Sequence, residues 1–142
     1  MLHKISPLLS PDLLHALAEM GHGDDIVIAD ANFPAASKGQ RVVRADGVTA
    51  TDMLQAVLEL FPLDTFIDDP ATVMEVVGNP DEVPPVVKAF QDVIDSTADN
   101  PAKIVGAERF AFYEKSERAF VIVLTGEARL YGNIILTKGV VT

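Results

Sequence analysis

Two side chains at the ends of one apolar run stand out as able to move protons. His22 lies between Gly21 and Gly23, and Asp30 follows Ile26-Val27-Ile28-Ala29. Imidazole is the side chain whose ordinary titration falls near neutral pH, so it can serve as an acid or a base. Its flanking glycines give it little steric cover and a backbone able to take positive φ. An aspartate where a buried strand runs out stands where α/β proteins usually place functional groups. The expectation is that His22 and Asp30 belong to one small-molecule site. Further along, Arg109 sits among Phe110, Phe112 and Tyr113, and Tyr131-Gly132-Asn133 offers a phenol, a permissive glycine and an amide. Such groups suit hydroxyl recognition, because an amide both donates and accepts and a ring can lie against the apolar face of a sugar. Each group also has a plainer reading. His22 could bond Asp24 or Asp25, Asp30 could satisfy amides in the next turn, Arg109 could pair with Glu108 or Glu114, and Tyr131-Gly132-Asn133 could be an ordinary turn.

What is absent narrows the chemistry. There is no cysteine, which removes disulfides, thiolate catalysis, cysteine-ligated zinc and iron–sulfur clusters. No G-x-S-x-G elbow, G-x-G-x-x-G turn or Walker phosphate loop occurs, so a serine nucleophile, a dinucleotide and a nucleoside triphosphate all lack their signature. His22 with Asp24, Asp25 and Asp30 is a mixed nitrogen and oxygen set, but no recognised metal-ligand spacing is present, and no metal or other cofactor is expected. The formal net charge of −10 and pI near 4.5 argue against nucleic acid and anionic membranes, which need a basic face. No signal-peptide pattern or long apolar run is found, and a cytoplasmic protein is expected. Proton transfer on a neutral ligand remains.

The elements that must position these groups can be read from caps and periodicity. Ser10-Pro11-Asp12 is a helix start, Leu13, Leu14, Leu17 and Met20 form its apolar stripe, and Gly21 is its stop. Ile26-Val27-Ile28 reads as a strand buried on both faces. Asn32 to Gln40 is expected to be loop, and Arg41 to Arg44 a strand. Thr49-Ala50-Thr51-Asp52 opens a helix whose buried face is Met53, Leu54, Val57, Leu58 and Phe61, with Pro62 closing it. Val73 to Val77 reads as a strand, and Pro84-Pro85 starts a helix carrying Val86, Val87, Phe90, Val93 and Ile94. Lys103 to Val105 is a short candidate strand, and the pattern of Glu108 to Glu114 is ambiguous. Ala119 to Leu124 and Tyr131 to Leu136 are the last two strands, and their closeness predicts a hairpin or bent ribbon. The alternation predicts the α/β class: one domain over residues 1–142, a three-layer αβα sandwich with a central mixed, mostly parallel sheet. With 49% hydrophobic residues and mean hydropathy of +0.25, some apolar surface could be covered between subunits.

Taken together, Pro7-Leu8-Leu9-Ser10-Pro11, Met20-Gly21-His22-Gly23-Asp24, Asp30-Ala31-Asn32-Phe33-Pro34, Arg109 to Glu114, Thr125-Gly126-Glu127 and Tyr131-Gly132-Asn133-Ile134 resemble the L-fucose mutarotase branch of the ribose pyranase/fucose mutarotase (RbsD/FucU) family. The resemblance runs along essentially the whole chain. It implies exchange of sugar anomers without a cofactor, in homo-oligomeric rings, decameric ones included, with sites at subunit boundaries. It implies His22 as proton donor, and Asp30, Arg109, Tyr131, Gly132 and Asn133 as sugar-binding residues. Some members carry His where this chain has Asn32. The implied activity is interconversion of the α and β anomers of L-fucose, an isomerase reaction of carbohydrate metabolism. Its alternatives are pyranose–furanose exchange of D-ribose and non-catalytic monosaccharide binding. Ring opening needs one group to protonate the ring oxygen and another to deprotonate the anomeric hydroxyl. Asp30 and Tyr131 are both candidates for the second role.

Overall fold

The computed structural model describes residues 1–142. In chain order the elements are α1 (Pro11–Glu19), β1 (Asp25–Ala29), α2 (Ala35–Lys38), β2 (Val42–Ala45), α3 (Ala50–Leu58) and β3 (Ala71–Met74). They continue as α4 (Pro85–Thr97), β4 (Val105–Ala107), α5 (Arg109–Arg118), β5 (Val121–Thr125) and β6 (Ile134–Thr137). The capping chemistry acts as its residues dictate. Ser10 Oγ accepts from the Leu13 N–H with Pro11 in the first turn, and Thr49 Oγ1 accepts from the Asp52 N–H. The last helix, ambiguous in sequence, begins where the Glu108 carboxylate accepts from the Phe110 and Ala111 N–H groups.

The six strands form one sheet in the order β2-β5-β1-β6-β3-β4. β1 pairs in parallel with β5, as β2 does with β5 and β3 with β4. Only β6 runs against the rest, antiparallel to β1 on one side and β3 on the other. The mixed, mostly parallel sheet is as expected; the hairpin is not. β1 lies between β5 and β6, so residues 126–133 form a crossover above the carboxyl end of β1 rather than a tight turn. A two-strand hairpin would have left β1, apolar on both faces, at an open edge.

Alternating side chains of β1 divide the core. Ile26 and Ile28 face α1, α3 and α4 in one apolar cluster, whereas Val27 and Ala29 face Phe33, Ala35 and Phe112 of the α2 and α5 side in another. These four strand residues are fully buried, the condition that an unbroken apolar run meets. Smaller differences have local causes. Residues 35–38 form a single helical turn inside the expected loop. α3 ends at Leu58, and Phe61 is buried just beyond it. β3 stops at Met74, and Val76 instead bridges Asn79 across a turn containing Gly78 at φ +80°. β4 starts at Val105 rather than Lys103 because its register is set by pairing with Thr72 to Met74. No helix is long and apolar enough to cross a membrane.

Candidate functional site

Five of the six expected site residues lie on the side of the sheet where the parallel strands end. Asp30 follows β1, and Asn133 precedes β6 beside it. The Asn133 Oδ1 accepts from the Asp30 N–H at 2.7 Å, and its Nδ2 donates to Asp30 Oδ2 at 2.9 Å. Asp30 Oδ1 accepts from the Asn32 N–H at 2.9 Å. The carboxylate is thus held in one orientation by a bond to each oxygen, from Asn133 and Asn32, while Asn133 also fixes the Asp30 backbone, and acceptor capacity is left on each oxygen. Asn32 itself is exposed.

Tyr131 adopts φ +64°, which costs a bulky residue free energy and is sustained only by its surroundings. Its hydroxyl oxygen accepts from the Val77 N–H at 3.1 Å, leaving the phenolic proton to donate elsewhere. At Gly132 a Cβ would lie 2.7 Å from Glu127 Cγ and 3.0 Å from the Arg129 carbonyl oxygen, so close backbone approach requires glycine there. Arg109 opens α5, exposed, with its guanidinium 4.7 Å from the Phe110 ring centre. No carboxylate pairs with it: Glu114 bonds Arg118, and Glu108 caps the helix. Arg109, Glu75, Val77 and Gly78 line a shallow cavity of about 200 Å³, and the Val77 bond puts Tyr131 at its edge. An unpaired cation and a phenol proton at a small open cavity are groups that can recognise a polyhydroxylated neutral molecule; the fixed Asp30 carboxylate is joined to the same turn through Asn133.

His22 is not part of this group. It precedes β1, whereas Asp30 follows it. At about 3.3 Å per residue the strand alone separates them by roughly 13 Å. The expectation that both line one site is therefore not met within a protomer. Nor does His22 bond Asp24 or Asp25. Asp24 accepts from the Gly21 N–H, and Asp25 accepts from Thr137 Oγ1, its pKa raised because burial outweighs that bond. The partner of His22 is Asp64, 3.1 Å from Nε2. The Phe66 ring centre lies 4.9 Å from the imidazole.

Asp64 was not picked out by sequence reasoning. It occupies the connection between α3 and β3, and its residue type there resembles that of Asp68 and Asp69. Only the fold selects it, through the Asp64 N–H to Thr137 carbonyl bond that pins the loop to the end of β6. Its side chain is buried. Burial alone would raise its pKa, but bonds from the Phe66 N–H, His22 and the Thr65 N–H overcome that and hold it below the ordinary carboxylate value. An ionised carboxylate only accepts, so Nε2 of His22 carries a proton and Nδ1 is the nitrogen left for a ligand. The His22 side chain is 44% exposed. One protomer therefore carries a histidine–carboxylate pair at the amino end of β1 and a cluster of polar side chains at its carboxyl end.

Comparison with known proteins identifies the lineage. Residues 3–141 match the RbsD / FucU transport protein family. The fucose mutarotase of Streptococcus pneumoniae, solved in complex with L-fucose, is similar at 44% identity over 99% of this chain and 100% of its own, with a TM-score of 0.92. FucU from Bifidobacterium longum is 45% identical over 97% of this chain and 99% of its own, with a TM-score of 0.91. Bacillus subtilis RbsD, solved with D-ribose, covers 100% of both chains at 20% identity and a TM-score of 0.74, a likeness of fold. The chain belongs to the RbsD / FucU family.

Proposed function

We propose that this protein is an L-fucose mutarotase whose site is completed by a second copy of the same chain. The observation that carries the reading is the split between the two halves of the machinery. Asp30, Tyr131, Asn133 and Arg109 can hold hydroxyls but include no group that ordinarily exchanges a proton at neutral pH. The His22–Asp64 dyad supplies one, from the opposite end of β1 and open to solvent. Likeness to a fucose mutarotase along nearly the whole chain supports the same substrate.

In this mechanism the sugar rests on Asp30, Arg109 and the Tyr131-Gly132-Asn133 turn of one protomer, while His22 comes from another. His22, doubly protonated, gives its Nδ1 proton to the ring oxygen as the bond from that oxygen to the anomeric carbon breaks. The anomeric hydroxyl loses its proton as the aldehyde forms. Rotation of the aldehyde and the reverse transfers close the ring on the other face, so no atom or electron is gained or lost. Asp64 holds the Nε2 proton throughout and offsets the imidazolium charge. Tyr131, with its oxygen already accepting from Val77, acts as donor to the sugar. Asp30 is the acceptor nearest in chemistry to the departing hydroxyl proton. Positioned acid–base transfer accelerates such a step by about 10²–10⁴-fold.

Saturation transfer between the anomeric protons of L-fucose tests the activity; no faster exchange with protein would overturn it, and comparison with D-ribose separates the two branches of the family. Mixing tests the shared site. The inactive variants His22→Ala and Asp30→Asn, unfolded and refolded together in equal amounts, should regain about a quarter of the original exchange rate, since one boundary in four then pairs two intact halves. Absence of any recovery would overturn the shared site.

A further inference from the structure

We propose that Glu127, acting through Arg129, is a positioning residue that holds the Tyr131-Gly132-Asn133 turn in its sugar-binding shape. The role rests on the mutarotase reading for its consequence, though not for its geometry. Glu127 belongs to the crossover between β5 and β6 and is buried. Its Oε1 accepts from the Arg129 N–H and Nε, each at 2.9 Å, and Oε2 accepts from Arg129 Nη2 at 2.8 Å. Oε2 also accepts from the Ala50 N–H at 3.2 Å, at the amino end of α3. Arg129 Nη2 reaches Thr51 Oγ1 at 3.2 Å in the first turn of the same helix. Both oxygens are fully occupied by donors inside the protein. Glu127 therefore touches no sugar, and its effect must pass through what it holds.

Three neighbouring contacts show what that is. The Glu127 carbonyl accepts from the Ala31 N–H at 2.9 Å, next to Asp30. Its Cγ occupies the space that a Gly132 side chain would need, 2.7 Å from the ideal Cβ position. Its own N–H donates to Thr125 Oγ1 at 3.2 Å, and that hydroxyl donates to the Ala29 carbonyl. The carboxylate thus ties the amino end of α3 to a loop whose next residues are Tyr131 at φ +64° and the Asn133 that clamps Asp30. A bulky residue stays in that left-handed region only where its surroundings over-determine it. Glu127 and the bidentate Arg129 fork supply that constraint on the amino side of the turn. On the carboxyl side, β6 supplies it.

Glu127→Gln tests the assignment, because its amide nitrogen cannot accept from Arg129 or Ala50. The expected result is a KM for L-fucose raised about five- to twentyfold, with kcat within about twofold. Deuterium uptake should rise over residues 128–133, and thermal unfolding should stay cooperative. Arg129→Gln should reproduce both effects and serves if Glu127→Gln does not fold. Arg129→Lys, which keeps the charge but not the fork, should restore part of the KM. Wild-type KM or wild-type uptake in a folded variant would overturn the proposal. If the unsubstituted protein fails to speed anomer exchange, the mutarotase reading falls, and uptake alone then decides the positioning role.

Discussion

Replacing Glu127 by Gln should cost stability in a way that titrates. Hydrogen bonds from the Arg129 side chain, opposed by burial and helped by the Arg129 and Ala50 N–H groups, bring the Glu127 pKa from 4.5 to about 2. A folded-state value below the unfolded one means that the unfolded chain binds the proton more readily. The stabilisation is therefore complete above the unfolded value and is lost as pH falls through 4.5 toward about 2. At 1.36 kcal/mol per pH unit the whole difference is worth about 3 kcal/mol. The Arg129 side chain is 44% exposed, and solvent screening reduces the figure to about 1.5–2 kcal/mol. At neutral pH the variant should melt about 3–8 °C lower for a chain of this length. Urea unfolding of both proteins, followed by circular dichroism from neutral pH down to about pH 3, should show the gap narrowing as the carboxylate of the unfolded wild-type chain takes up its proton. A gap of constant size would refute the electrostatic origin, since lost packing or a misplaced amide does not titrate in that window.

The remaining predictions concern the two halves of the site. His22→Ala should lower the catalysed rate of L-fucose exchange by about 10²-fold or more, and saturation transfer showing an unchanged rate would remove the imidazole from the chemistry. Asp64→Asn should lower kcat by about tenfold through loss of one charge-assisted bond, while a rate equal to wild type in the folded variant would deny Asp64 any orienting role. Gly132→Ala should destabilise the fold by about 1–3 kcal/mol and raise KM, because the new methyl meets a backbone oxygen at 3.0 Å as well as Glu127; a thermal melt matching wild type would show that the turn can relax.

Local chemistry made most of the elements legible. Ser10-Pro11-Asp12, Thr49 to Asp52 and the Ile26-Val27-Ile28 run each carry a signal that acts within a few residues. α5 escaped because its inward face is only Phe112 and Ser116, too narrow a stripe to stand out among Phe110 and Tyr113 on more exposed positions. The place of β6 escaped for another reason. Adjacency in sequence favours a β5–β6 hairpin, and only the demand of β1 for cover on both edges decides against it. Within the candidate site, Asp30 stood out as an aspartate at a strand end, whereas Tyr131-Gly132-Asn133 was open to reading as an ordinary turn and was singled out by the family resemblance. Asp64 and Glu127 were not legible, since an acidic residue in a loop looks the same whether it is solvated or receives several internal hydrogen bonds. The separation of His22 from Asp30 follows from their standing at opposite ends of β1, which sequence already implied through the strand between them.

The placement of β6 also governs the order in which the molecule can be built. β2, β5 and β1 form one parallel block and β3 with β4 another, and nothing but β6 hydrogen-bonds the two. The pairing of Asp25 with Thr137 joins positions 112 residues apart. On the ribosome, nearly all of the sheet's strands emerge before the one that can unite them. Before β5 emerges only β3 and β4 have each other to pair with, and β1 and β2 keep unpaired edges until β5 and β6 follow in close succession, the condition in which long-range pairing is slow and association with other chains competes.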